Sequence, residues 1–261
     1  IPDSRPTRHA TPVRRARAAP ARPEIGYGAR GKRGVVGPSG NIAAEPPFRA
    51  MLPAGVAPFF TRAPLTTTDG DGLMQMAKRL DHDVRLLVDA RVDIVFFHCT
   101  AITTFAPGSD DEILAKIAAV TDTPASATSK GIIAALDALK AKRVALITPY
   151  TADINRREVA FLERHGAEVV HETGLGIPDS PTMFSVTPDE WIDIALRNRR
   201  DDADLYFLSC AAVRTAEVID TLEAALGRPV VTSNLLGAWH AMRTIGITDR
   251  VDGFGTLLAD H

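Results

Sequence analysis

The sequence predicts an α/β protein with two pseudo-symmetric Rossmann-like lobes, each built on a mostly parallel sheet flanked by helices. From residue 34 onward, short apolar runs alternate with stretches of helical periodicity, which is the pattern of βαβ units. The chain also repeats itself, because Val92–Thr104 and Ala203–Thr215 share an acidic residue, an apolar run, a Cys and a Thr five residues after that Cys. A repeat of this length indicates a duplicated lobe.

The individual strands and helices follow from the same patterns. Apolar runs predict strands at Gly34–Gly37, Val92–His98, Arg143–Thr148, Glu168–Val170, Asp204–Ser209 and Pro229–Thr232. Apolar residues spaced three and four apart predict helices at Gly72–Ala90, Asp110–Val120, Lys130–Leu139, Asp153–His165, Pro188–Asn198, Thr215–Leu226 and Leu235–Ile245. We therefore expect a first lobe over residues 34–143 and a second over residues 144–258, with a possible crossing of the chain between lobes near its C-terminus.

The composition is that of an ordinary globular protein, with 261 residues, 45% of them hydrophobic and 24% charged. No apolar run reaches the roughly 18 residues of a membrane helix, so we expect no membrane partner and a cytoplasmic location. The net charge of −2 gives no general case for a nucleic-acid partner. Residues 1–33 differ, with nine Lys and Arg against two Asp and Glu and few large apolar residues, and we expect a disordered basic tail there.

The two cysteines are the strongest chemical signal. Two cysteines are too few for disulfides to stabilise a chain of this size, and their separation does not match metal-ligand spacing. Cys99 and Cys210 instead follow predicted buried strands at equivalent points of the two lobes, and ligands bind at strand ends in such sheets. A free Cys is also a common small core residue. The matched positions favour chemistry, with one thiol as nucleophile or base and the other as acid. We expect backbone N–H groups of the following helices to lower both pKa values, and we expect the neighbouring His98 to be packed on the other face of its strand.

Loops after the other strands carry neutral hydrogen-bonding groups. Ser39 and Asn41 follow the first strand, Tyr150 follows Arg143–Thr148, and hydroxyl and amide side chains occupy Thr232–Asn234. Groups of this kind hold a carboxylate without a salt bridge, although ordinary βα turns use the same residue types. Neither G-x-G-x-x-G nor the P-loop motif occurs, so we expect no nucleotide cofactor.

These residues resemble the Asp/Glu racemase superfamily, in its branch of maleate cis–trans isomerases and arylmalonate decarboxylases. The resemblance covers about residues 34–258. It is carried by Gly34–Val56, Phe96–Phe105, Val144–Val170, Leu208–Asn234 and Trp239–Ile247. It implies two Rossmann-like lobes with the active site between them, no cofactor, and a homodimer.

The resemblance also implies roles for particular residues. In maleate isomerases of this branch the first Cys adds to the double bond, the bond rotates, and elimination gives fumarate. This implies Cys99 as nucleophile and Cys210 as acid/base. Substrate-binding positions implied in the same way are Ser39, Asn41, Thr100, Tyr150, Ser180 and Ala211, with Thr100 and Ala211 contributing backbone N–H groups beside the cysteines. Asp153 and Asn155 match the family motif, but we expect them to cap the next helix.

The departures from the family pattern keep the substrate open. Ser180 stands where the family has Asn, and the residues after Cys99 look somewhat closer to arylmalonate decarboxylases. Those decarboxylases, however, keep only the second Cys. We therefore expect an isomerase of a small dicarboxylate, maleate to fumarate. The alternatives are an amino-acid or hydantoin-type racemase, an arylmalonate-type decarboxylase on the same site, and an inactive protein that binds a small acid.

Overall fold

The computed structural model describes residues 26–65, 76 and 78–261. Most of the predicted basic tail, residues 1–25, lies outside the described residues. The same holds for the start of the helix predicted at Gly72–Ala90, whose described part runs over Leu80–Asp89. No helix in the described part of the chain is both long and apolar enough to span a membrane.

Two four-stranded parallel sheets form the centre of the molecule. The first contains β1 (Gly31–Pro38), β2 (Val56–Ala63), β3 (Ile94–Phe97) and β4 (Ala125–Ala127), in the order β2-β1-β3-β4. The second contains β5 (Arg143–Thr148), β6 (Glu168–Gly174), β7 (Leu205–Leu208) and β8 (Val230–Thr232), in the order β6-β5-β7-β8. Every pairing in both sheets is parallel. The identical order confirms the α/β class and the duplication that the repeat predicts.

Helices connect these strands. In chain order they are α1 (Glu45–Met51), α2 (Leu80–Asp89), α3 (Thr100–Thr103), α4 (Ser109–Ala118), α5 (Thr128–Leu139), α6 (Ala152–Arg164), α7 (Ser180–Ser185), α8 (Pro188–Arg197), α9 (Ile219–Leu226), α10 (Ser233–Thr244) and α11 (Thr256–Asp260). A 3-10 turn at Ala216–Val218 precedes α9, so the helix predicted at Thr215–Leu226 is in fact two pieces.

Helix α10 follows the last strand of the second sheet and packs against α1, α5 and β3 of the first half. The close approach depends on Gly237, because a Cβ there would lie 2.7 Å from the Phe48 ring and 3.0 Å from the His98 ring. Buried residues of both halves form one continuous core, which includes Val35 of β1 and Leu146 of β5. The chain therefore returns to the first half near its C-terminus.

In the first sheet, one sequence prediction is wrong and one strand was missed. Residues 31–33, assigned to the tail, form the beginning of β1, because they pair with β2 and the backbone N–H of Lys32 donates to the Asp93 carboxylate. Arg30, just before this strand, forms an ion pair with Asp249. Strand β2 itself was not predicted, and its Pro58 explains why: proline interrupts strand patterns but is tolerated in an edge strand, which β2 is.

Candidate active site

Cys99 lies at the carboxyl end of β3 and is the residue before α3. Its side chain is buried, and the backbone N–H groups of Ala101 and Ile102 donate hydrogen bonds to its sulfur. This arrangement follows from the strand ending directly at a helix, whose first N–H groups have no partners within the helix. The sulfur of Cys99 therefore faces donors that stabilise negative charge.

Cys210 occupies the equivalent point after β7, and its backbone is unusual. Its φ of +133° lies in a region that L-residues rarely adopt. The backbone N–H of Cys210 donates to the Ser233 hydroxyl at 3.0 Å, and the backbone N–H of Ala212 donates to the Cys210 sulfur at 3.3 Å. Surrounding contacts hold this strained conformation, as is common where a reactive side chain must be aimed.

The two thiols are protonated at neutral pH in this structure. The pKa of Cys99 is raised to about 12, mainly by burial and in part by the nearby Cys210. The backbone donors at Ile102 and Ala101 lower it, but by less. Burial also raises the pKa of Cys210 to about 11, against hydrogen bonds from Tyr150 and Ala212. The expectation of lowered pKa values is wrong, because the predicted backbone donors are present but loss of solvent outweighs them. The effect of Cys210 on Cys99 also places the two side chains within electrostatic reach of each other.

Tyr150 follows β5 and joins this pair. Its side chain is buried, and its hydroxyl forms a hydrogen bond with the Cys210 sulfur. Burial, Cys210 and Glu158 all raise the pKa of the phenol well above its usual value. Tyr150 is therefore a neutral hydrogen-bond donor throughout the physiological pH range.

Asn41 bridges the two halves beside Cys210. Its Oδ1 accepts from the backbone N–H groups of Ala43 at 2.8 Å and Ala44 at 3.2 Å. Its Nδ2 donates to the carbonyl of Ala211 at 3.0 Å. The carboxamide thus lies at the site, with its polar atoms bonded to backbone from both loops.

The hydroxyl of Ser39 holds the loop after β1 in place. It accepts from the backbone N–H of Leu65 at 3.1 Å, while its own backbone N–H donates to Ala63 at 2.7 Å. Ser180 is the half-buried first residue of α7, where Asp179 caps the helix by accepting from the Thr182 N–H. The Ser39 hydroxyl therefore links the loop after β1 to Leu65, and Ser180 lies at the start of α7.

The residues matching the family motif after Tyr150 do not cap α6 as predicted. Thr151 is the N-cap residue and makes no side-chain capping bond. Asp153, in the first turn, pairs with Arg156 and Arg157 on the helix surface. Asn155 turns back to accept from the Thr148 hydroxyl at 2.7 Å, which anchors the loop that carries Tyr150.

Two further side chains at the site, those of Met183 and Glu158, were not singled out. The sulfur of Met183, from α7, lies 3.9 Å from the Cys210 sulfur. Glu158 is fully buried on α6 and accepts a hydrogen bond from Ser209, the residue before Cys210. The signal for Glu158 was present, because it falls on the buried face of α6 with Ile154 and Phe161. Ser233, which lies in a predicted loop, contacts both cysteine loops.

His98 is packed, as expected. Its two ring nitrogens bond to Thr128 Oγ1 at 3.1 Å and Asn234 Oδ1 at 2.9 Å. Burial lowers the pKa of this imidazole to about 4, so it is neutral. Within the described residues, no three His, Cys, Asp or Glu side chains gather closely enough to hold a metal ion.

An apolar groove of about 420 Å³ opens beside these loops. Its walls include Ala43 and Val213, each two or three residues from Asn41 or Cys210. Arg214 also lines it, with its guanidinium 5.6 Å from the centre of the Phe184 ring. The groove is close along the chain to the loops of Asn41 and Cys210, but neither cysteine is among the residues that line it.

The chain is similar to several characterised proteins. A 237-residue stretch is 27% identical to a maleate isomerase from Nocardia farcinica, covering 86% of this chain and 94% of that protein. A shorter stretch of 128 residues is 34% identical to an arylmalonate decarboxylase from Bordetella bronchiseptica, covering 48% of this chain and 53% of that protein. The crystal structure of the maleate isomerase Iso from Pseudomonas putida S16 superposes with a TM-score of 0.82 at 25% identity, covering 88% of this chain and 98% of that one. The sequence model of the arylmalonate decarboxylase family matches residues 35–258, and the protein therefore belongs to that family.

Proposed function

We propose that the protein is a cofactor-independent cis–trans isomerase of a small dicarboxylate, converting maleate to fumarate. The observation that carries this proposal is the pair of buried thiols, Cys99 and Cys210, at equivalent strand ends and within electrostatic reach. The similarity to a maleate isomerase over nearly its whole length supports the same reaction.

In the proposed reaction Cys99 acts as the nucleophile. It first loses its proton to solvent, and its thiolate forms a bond to C2 of maleate. The electron pair of the double bond moves towards C3, which takes a proton from the Cys210 thiol. The C2–C3 bond is now single and rotates. The Cys210 thiolate then removes a proton from C3, the double bond re-forms, and the bond from C2 to the Cys99 sulfur breaks.

The substrate carboxylates require donors, and neutral ones surround the thiols. We assign Tyr150 and Asn41 to them, together with the backbone N–H groups of Thr100 and Ala211. The hydroxyl of Tyr150 and the amide of Asn41 bond to Cys210 and Ala211, so binding exchanges those bonds for bonds to substrate. We also assign Ser39 and Ser180 to the substrate-binding residues, on the loops after β1 and at the start of α7. We further propose a homodimer located in the cytoplasm.

A related candidate keeps the site and changes the reaction. The 34% identity to an arylmalonate decarboxylase over part of the chain favours this candidate. An arylmalonate-type decarboxylase, or a racemase, would use Cys210 as the proton donor to a carbanion.

The test is direct. The purified protein is incubated with maleate and the olefinic protons are followed by NMR, with phenylmalonate and CO2 release as the parallel assay. We expect a fumarate signal to grow with maleate alone. No fumarate from protein with two intact thiols would overturn the maleate assignment, and CO2 release would establish the decarboxylase instead.

A further inference from the structure

Glu158 is an acidic side chain buried without a cation. It is 0% exposed, and its Oε1 accepts a hydrogen bond from the Ser209 hydroxyl. In the described part of the chain its Oε2 has no hydrogen-bond partner, and no ion pair includes this carboxyl. Burying a carboxylate in this way is costly, so an apolar residue would stabilise the fold more simply.

The position of Glu158 connects it to the thiol pair. Ser209 ends the run that leads from β7 into Cys210, so the carboxyl lies one residue from the strained Cys210 backbone. The titratable groups that face it are Cys210, from the loop after β7, and Tyr150, from the loop after β5. On its own helix, Asn155 is bonded to Thr148, and Arg157 pairs with Asp153 on the surface.

The carboxyl can change charge near neutral pH. Burial raises the pKa of Glu158 to about 7, against the hydrogen bond from Ser209. Its negative charge in turn raises the pKa of Cys210 and that of Tyr150. A like charge at this range disfavours ionisation of its neighbour.

We propose that Glu158 is a positioning residue whose charge sets how readily the Cys210 thiol gives up its proton. When Glu158 is protonated, Cys210 ionises more easily, and when Glu158 is charged, Cys210 holds its proton more tightly. The proposal rests on the proposed function only where it assigns Cys210 a role in catalysis. The effect of the Glu158 charge on the ionisation of Cys210 is measurable without any substrate.

The experiment measures alkylation of Cys210 by iodoacetamide. A Cys99→Ala background leaves Cys210 as the one cysteine of the chain. In that background Glu158→Gln keeps an oxygen acceptor for Ser209 but removes the charge. The alkylation rate of the double variant, Cys99→Ala with Glu158→Gln, is divided by that of Cys99→Ala alone. This ratio should be close to one at about pH 6. It should rise to between roughly threefold and tenfold at about pH 8.5, because one pKa unit changes the thiolate fraction tenfold.

Controls separate charge from structure. Glu163→Gln, an exposed change on the same helix, should give a ratio near one at every pH. A Glu158→Gln ratio that does not vary with pH would overturn the proposal, since a purely structural effect carries no titration. Should Glu158→Gln fail to fold, infrared difference spectra of the unmodified protein decide instead. A protonated-carboxyl band titrating near pH 7 supports the proposal, and its absence overturns it.

These outcomes are distinct from failure of the proposed function. A protein that makes no fumarate yet shows the pH-dependent ratio retains the Glu158–Cys210 coupling on a different reaction. A protein that makes fumarate with a constant ratio retains the function and loses the inference.

Discussion

The hydroxyl of Thr100 donates a hydrogen bond of 2.8 Å to the hydroxyl of Ser233, and this bond joins the loops of the two cysteines. Thr100 directly follows Cys99, while Ser233 also accepts the backbone N–H of Cys210 at 3.0 Å. One oxygen therefore fixes the position of one thiol relative to the other across the two halves.

Replacing Ser233 by Ala should loosen this junction. The backbone N–H of Cys210 would be left buried without its acceptor, at a cost of about 1–3 kcal/mol in unfolding free energy. We expect kcat to fall more than KM rises. The reason is that the substitution alters the spacing of the two thiols more than it alters substrate binding. Denaturant melts and maleate kinetics check this. Ser185→Ala, at an exposed position in α7, should stay within about 0.5 kcal/mol.

Removing each thiol distinguishes the candidate reactions. Cys99→Ala should lower isomerisation by at least about a thousandfold, because no other group forms the adduct. Cys210→Ala should lower kcat by about 10²–10⁴-fold, the usual contribution of a proton donor. Both rates are measured by NMR with folded variants confirmed by circular dichroism. If Cys99→Ala instead keeps CO2 release from phenylmalonate, the site is a decarboxylase.

Tyr150→Phe should make Cys210 a weaker acid. The phenol bond lowers the pKa of this thiol, so its loss raises that pKa and slows alkylation at neutral pH by roughly two- to tenfold. The measurement is iodoacetamide labelling of Cys210 in the Cys99→Ala background. Tyr27→Phe serves as the control, since Tyr27 is 76% exposed. Equal labelling of the two variants would contradict the hydrogen bond.

Cys99 should make stability fall at alkaline pH. Its pKa rises from 9.0 to about 12 on folding, so the native state keeps a proton that the unfolded state releases. The stabilisation is complete below about pH 9 and is lost as pH rises towards 12. Between about pH 8 and 10.5, the protein should lose about 1–2 kcal/mol more unfolding free energy than Cys99→Ser does. Urea melts at both pH values measure this, and parallel losses would show that the thiol ionises freely in the fold.

Much of the fold was predictable from the repeat, since matched Cys-bearing segments imply the same strand order twice. Strand β2 was not, because Pro58 and half-buried Phe59 and Phe60 obscure the strand pattern at the sheet edge. The end of the tail was misplaced because Arg33 is charged yet fully buried within β1.

The candidate site was predictable only in part. Cys99, Cys210 and Tyr150 each follow a strand, so the general rule for parallel sheets locates them. Met183 reaches the site from α7, and no local pattern specifies that approach. Ser233 lies in the strand-end loop that the sequence indicates, but its bonds to both cysteine loops depend on tertiary packing. The pKa values were misjudged because helix N–H groups can be inferred from sequence, whereas the depth of burial that outweighs them depends on tertiary packing.

Helix α10 belongs to the second half by connection and to the first half by packing, through Gly237 against Phe48 and His98. Neither half is then complete without the other, because removing residues 233–244 would expose core residues of the first half to solvent. We therefore expect that the two halves do not fold independently, although their strands are duplicated. The chain should melt in a single cooperative transition, and the two thiols should lose their environment together.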